Sequence, residues 1–129
     1  MKLEQQVVSL DLAKRLKELN VPQESLFYWN KGIVCDSSFK IIPEVCSAFT
    51  VAELGKMLPT KIIPNPVLGD KQKTYYIGLD FFLDQINDFY GVARVYRVSA
   101  GSIQFKEQSE ADARAKMLIY LLENNLITL

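Results

Sequence analysis

Histidine does not occur in this chain, and cysteine occurs only twice. The first absence removes the most common general base and the most common zinc ligand. Cys35 and Cys46 are by themselves too few for a tetrahedral structural zinc site. Neither sign of charge prevails: 15 Lys plus Arg balance 15 Asp plus Glu. No global field therefore draws the molecule to nucleic acid or to an anionic membrane, and any such binding has to come from a local patch. No apolar run approaches the roughly 20 residues that span a bilayer. The opening MKLEQQVVSLDLAKRL places Glu4 and two glutamines where a secretory signal has a continuous apolar stretch. These absences lead to the expectation of a cytoplasmic protein without a membrane segment, whose two thiols stay free and largely buried.

What is present describes a single domain over residues 1–129. Apolar residues make up 49% and charged residues 23% of the chain, close to globular averages. A chain of this length buries roughly two-thirds of its unfolded surface. Ser9 precedes LDLAKRLKELN, where Leu12, Leu16 and Leu19 recur at helical spacing, with Asp11/Arg15 and Lys14/Glu18 set as ion pairs at i, i+4. Asn20 suits the left-handed closing position, and Pro22 stops the helix. SLFYWN (25–30) reads as a strand, Asn30-Lys31-Gly32 as a turn, and IVC or FKII as its returning partner. Thr50 and Glu53 match a capping box, which predicts a short helix over 51–57. Residues 59–73, with three prolines and Gly69, read as a connection with little regular structure.

In KTYYIGLDFFLDQIND, Tyr75, Ile77, Leu79, Phe81 and Leu83 alternate with Tyr76, Gly78, Asp80, Phe82 and Asp84, the period of a long strand with one consistently apolar face; a helical turn over 80–88 is the alternative. VARVYRV (92–98) and SIQFKEQ (102–108) follow as strands joined by the Ser99-Ala100-Gly101 turn. The last segment is a helix capped by Ser109, with Asp112 placed to reciprocate the cap and Glu110/Arg114 and Asp112/Lys116 as ion pairs. Ala111, Ala115, Leu118 and Leu122 line one side, widened by Met117, Leu121 and Ile119 into a broad apolar stripe suited to lying across the sheet. The predicted fold class is α+β: an antiparallel sheet with a carboxyl-terminal β-β-β-α unit, packed with an amino-terminal amphipathic helix and a short second helix.

Chemistry is sparsely signalled. Cys35-Asp36-Ser37-Ser38 lacks a histidine to activate a nucleophile. Asp80, Asp84 and Asp88 invite a magnesium or calcium reading, but apolar residues interrupt them and the spacing is not that of a calcium loop. No catalytic residue, metal ligand or cofactor is assigned, and a metal-dependent enzyme ranks last. Tyr75, Tyr76, Arg94, Tyr96 and Arg97, with Lys71 and Lys73, bring rings and cations together on adjacent strands, as single-stranded nucleic acid platforms do. Phe27, Tyr28 and Trp29 cannot all point the same way from one strand, so Tyr28 and Trp29 are candidate interface anchors beside their reading as a second layer of core.

LAKRLKELNVPQESLFYW (12–29), SAFTVAELGKMLP (47–59) and EADARAKMLIYLLENNLI (110–127) resemble, in that order, a family of small uncharacterised proteins encoded in phage, prophage and mobile-element regions of bacterial genomes. Residues 60–108 depart from the shorter, more polar hairpins usual there. The resemblance implies an intracellular accessory protein and transfers no activity. The leading expectation is a non-catalytic protein-interaction module whose partner is a host or phage protein or a second copy of the chain. The alternative is nucleic-acid binding through the aromatic and basic sheet face.

Overall fold

The computed structural model describes residues 2–36, 45–62, 75–85 and 92–129, with side chains along the long hairpin up to residue 82 and from residue 95. After a 3-10 turn at Leu3–Gln5, Val7 and Val8 run through the core as extended chain. Their backbone is satisfied from both sides, as burial requires. Val7 bridges to Thr50, Val8 N–H donates to Phe49 O, and Val8 O accepts from Trp29 Nε1 at 2.8 Å.

Helix α1, Leu10–Glu18, starts at Ser9 and closes at Asn20, whose φ is 65°. The expected Asp11/Arg15 and Lys14/Glu18 pairs are replaced: Arg15 binds Glu18 at 3.1 Å and Glu123, across on the last helix, at 3.0 Å. Strands β1, Phe27–Asn30, and β2, Ile33–Asp36, are joined by Lys31-Gly32, both with positive φ, the turn whose twist matches a hairpin. The partner of β1 is thus the IVC segment; FKII lies outside the described residues. Strand β3, Cys46–Ser47, pairs with the other edge of β1. Cys35 opposes Tyr28 and Cys46 opposes Trp29, so the cysteines occupy opposite faces of this sheet and both are free. Cys46 is buried, and desolvation pushes its thiol up against the pull of Lys17 and Lys14. Cys35 is half-exposed, less covered than expected.

Helix α2, Val51–Met57, carries the predicted box: Thr50 Oγ1 accepts from Glu53 N, and Glu53 Oε1 accepts from Thr50 N at 3.0 Å. Within the segment read as irregular, Lys61–Ile62 forms a short strand, β4, on the edge of β5. Strand β5 spans Tyr75–Gln85, so the long-strand reading holds over the helical one through Gln85; residues 86–88 lie outside the described part. Strands β6, Val92–Ala100, and β7, Ile103–Glu107, complete an antiparallel sheet ordered β4-β5-β6-β7; Ser99 and Ala100 continue β6, so the turn expected over 99–101 falls at Gly101-Ser102.

Helix α3, Glu110–Glu123, is the wall shared by two cores. Ala111, Ala115 and Leu118 pack with Leu16, Trp29, Phe49 and Leu54, whereas Ala113, Met117 and Leu121 pack on Ile62, Val98 and Ala100 of the four-stranded sheet. Of the broad stripe predicted to lie on the sheet, Met117 and Leu121 do so, joined by Ala113, whereas Ala111, Ala115 and Leu118 face α1 and α2. Ser109 Oγ accepts from Asp112 N as a cap should, but Asp112 does not reciprocate. Its Oδ1 accepts from Ser9 N at 2.7 Å, closing the start of α1, while Lys116 pairs with Glu107 of β7. Glu110 and Arg114 pair as expected, at 3.2 Å. No helix among the described residues is long and apolar enough to cross a membrane.

Candidate interaction surface

Tyr28 and Trp29 are not interface anchors; both are core. Trp29 shares a face with Val34 and Cys46 and packs into the first core, its indole N–H bound to Val8 O. Tyr28, 2% exposed, points to the opposite side, where its hydroxyl donates to Gln23 O and accepts from Ser25 N. The first core covers the Trp29 side of this small sheet, and Gln23 and Ser25 bind the Tyr28 hydroxyl on the other. Gln23 Oε1 also accepts from Ser47 N and so closes the outer edge of β3.

The remaining candidates separate onto two faces of the larger sheet. The register sets Ile77, Leu79 and Phe81 opposite Ala100, Val98 and Tyr96, with Ile103 and Phe105 beyond them. This face meets α3, and Tyr75 and Tyr96 are partly buried against its second core. Tyr76 and Arg97 lie on the other face, with Asp80, Phe82, Gln104 and Lys106. Arg94 pairs with Leu83 in the register; its side chain lies outside the described part. Tyr75 and Tyr96 thus share no platform with Tyr76 and Arg97, and Lys71 and Lys73 lie outside the described residues.

On the helix-free face, Asp80 clamps Arg97 through two oxygens, Nε to Oδ1 being 2.9 Å. That pairing holds the Asp80 carboxyl below its usual range. The Arg97 guanidinium lies 5.1 Å from the Phe82 ring centre, and Lys106 Nζ lies 5.7 Å from the same ring. A shallow groove of about 230 Å³ runs beside this pair, between Gly78, Ser99 and Gln104. Among the described residues no three His, Cys, Asp or Glu side chains gather as a metal site. Asp84 and Asp88 are not among the described side chains, and Asp80 is turned to Arg97.

On the helix-covered face, α3 packs over β6 and β7 and leaves the outer part of β5 uncovered. The reason is lateral: Leu79 and Phe81 lie opposite Val98 and Tyr96 of β6, one strand beyond the two that α3 packs on. Leu79 is consequently 41% and Phe81 61% exposed, and Phe81 leans on Tyr96 with ring centres 6.1 Å apart. Neither residue was singled out from the sequence as an interaction candidate. Their apolar alternation along β5 was visible, but how far α3 reaches across the sheet leaves no mark in the sequence.

Comparison with protein-family models, curated proteins and solved structures finds no match for this chain.

Proposed function

We propose that this chain is a non-catalytic protein-interaction module that engages a protein partner, host- or phage-encoded, through the outer part of the β5–β6 hairpin. An accessory role in a phage or mobile element is the setting that the sequence resemblance implies. The observation that carries this reading is the exposure of Leu79 and Phe81 side by side on one strand face beyond the reach of α3. Neighbouring exposed large apolar side chains on a rigid strand are the kind of surface that association buries. The test compares capture by the wild-type chain with capture by Leu79→Ser/Phe81→Ser, after circular dichroism has established that the variant is folded. A partner held by the wild type and released by the variant is the expected result. No partner, or the same partners with both chains, refutes the reading.

Nucleic-acid binding is the second reading, and one feature favours it: two cations, Arg97 and Lys106, over the Phe82 ring on the helix-free face. Against it stand the Asp80 carboxylate that neutralises Arg97 and the division of the tyrosines between two faces. A gel shift at low salt with single-stranded DNA and RNA decides: affinity that is absent, or unaffected by Arg97→Ala, removes this alternative.

A further inference from the structure

We infer that the outer edge of β7 is a self-association surface, on which a second copy of this chain adds its own β7 antiparallel to form one continuous eight-stranded sheet. Strand β7 closes the sheet order and pairs only with β6 among the described residues. The direction of its backbone groups follows from its turn. Ala100 and Ile103 flank the two-residue turn Gly101-Ser102, and the pair that closes such a turn is hydrogen-bonded. Alternation then turns Ile103, Phe105 and Glu107 inward and leaves the N–H and C=O of Gln104 and Lys106 pointing outward. The same parity reappears across the sheet. Ile77, opposite Ala100, sends its N–H away from β6 to Thr60 O at 3.0 Å.

Four outward groups on a two-fold axis have one register that uses all of them. With Phe105 facing its own copy, Gln104 of each chain opposes Lys106 of the other, and four backbone hydrogen bonds form. Centring on Lys106 sets two ammonium groups against each other, and centring on Gln104 carries Lys106 past the end of the partner strand. Lys106 does not guard the edge as lysines of exposed strands often do, because its ammonium rests over Phe82 on the sheet face.

Directly above this edge, on the helix side, lies a mostly apolar groove of about 210 Å³ with Leu12, Phe105, Ile119 and Tyr120 in its walls. A two-fold mate brings its Phe105 to the mouth of this groove. The groove's two cations, Arg15 and Lys116, are already balanced by Glu123 and Glu107 of the same chain. With a formal net charge of zero for the whole chain, no like-charge field opposes self-pairing.

This surface is distinct from Leu79 and Phe81, so the two proposals stand or fall separately. The experiment is sedimentation velocity from about 1 µM to about 1 mM, paired with amide hydrogen exchange at both ends of the range. A concentration-dependent dimer is expected, with the Gln104 and Lys106 amides protected only where the dimer is populated. Gln104→Pro removes an outward N–H without touching a bond to β6, and its loss in both chains weakens dimerisation roughly thirtyfold or more. A chain that stays monomeric throughout, a dimer whose Gln104 and Lys106 amides still exchange freely, or a dimer unchanged in a folded Gln104→Pro variant overturns the proposal. The exchange measurement on the wild-type chain decides even if the proline variant does not fold.

Discussion

Asp112 stands three residues after Ser109, where a capping carboxylate turns back on its own helix, yet its oxygen goes to the backbone of Ser9. Burial raises its pKa; the Ser9 hydrogen bonds and Lys116 work in the other direction, and Glu107 adds to the rise. A carboxyl whose folded pKa lies above its unfolded one contributes stability that is present below the ordinary carboxylate range and lost as pH rises through the raised value. Asp112→Asn keeps an oxygen for Ser9 N–H and sheds the buried charge. It is expected to match or exceed the wild type in stability at pH 7, and to lose that advantage as pH falls toward about 4. Asp112→Ala leaves Ser9 N–H without its partner and costs about 1–3 kcal/mol at either pH. Urea unfolding at the two pH values measures all three chains. The capping position of Asp112 was legible in the sequence. Its actual acceptor role was not, because the donor is 103 residues away.

Individual elements follow local rules closely. The Thr50–Glu53 box, the left-handed Asn20 and the Lys31-Gly32 turn are each written within a few residues, and each forms as read. Thr50→Ala should therefore cost about 1 kcal/mol in chemical unfolding. The two hairpin glycines separate backbone strain from crowding. Gly32, φ 78°, has open space where a Cβ would stand, whereas a Cβ on Gly101, φ 63°, would lie 2.5 Å from the Tyr75 ring. Gly32→Ala is expected to cost only the left-handed penalty of about 1–2 kcal/mol. Gly101→Ala must displace the Tyr75 ring as well and should be the more damaging of the two in thermal unfolding. Equal losses would mean that the ring moves aside freely. Strand existence in the long hairpin was legible, in β5 from its period-two alternation. Strand β4 was not, since two residues beside a proline-rich stretch carry no period.

At the scale of the molecule, the described residues form two cores with α3 between them. Neither core is closed without that helix, so they should unfold together. Met117→Ala, fully buried on the sheet side, should cost about 2–5 kcal/mol. It should also lower the transition seen by Trp29 fluorescence, although Trp29 belongs to the other core. Leu118→Ala, on the Trp29 side, should do the same to the far-UV signal of the strands. Separate fluorescence and far-UV transitions in either variant would show that the cores are independent. The sequence alone determined the fold class, the Thr50–Glu53 box, the Lys31-Gly32 turn and the alternation of β5, because these signals act between residues a few positions apart. The tertiary structure decided which stripe of α3 meets the sheet, that Tyr28 and Trp29 are covered, and that Leu79 and Phe81 are not. A helix apolar on nearly all sides carries no periodic mark of which neighbour lies where. The cover over any strand depends on how far an element from elsewhere in the chain happens to reach.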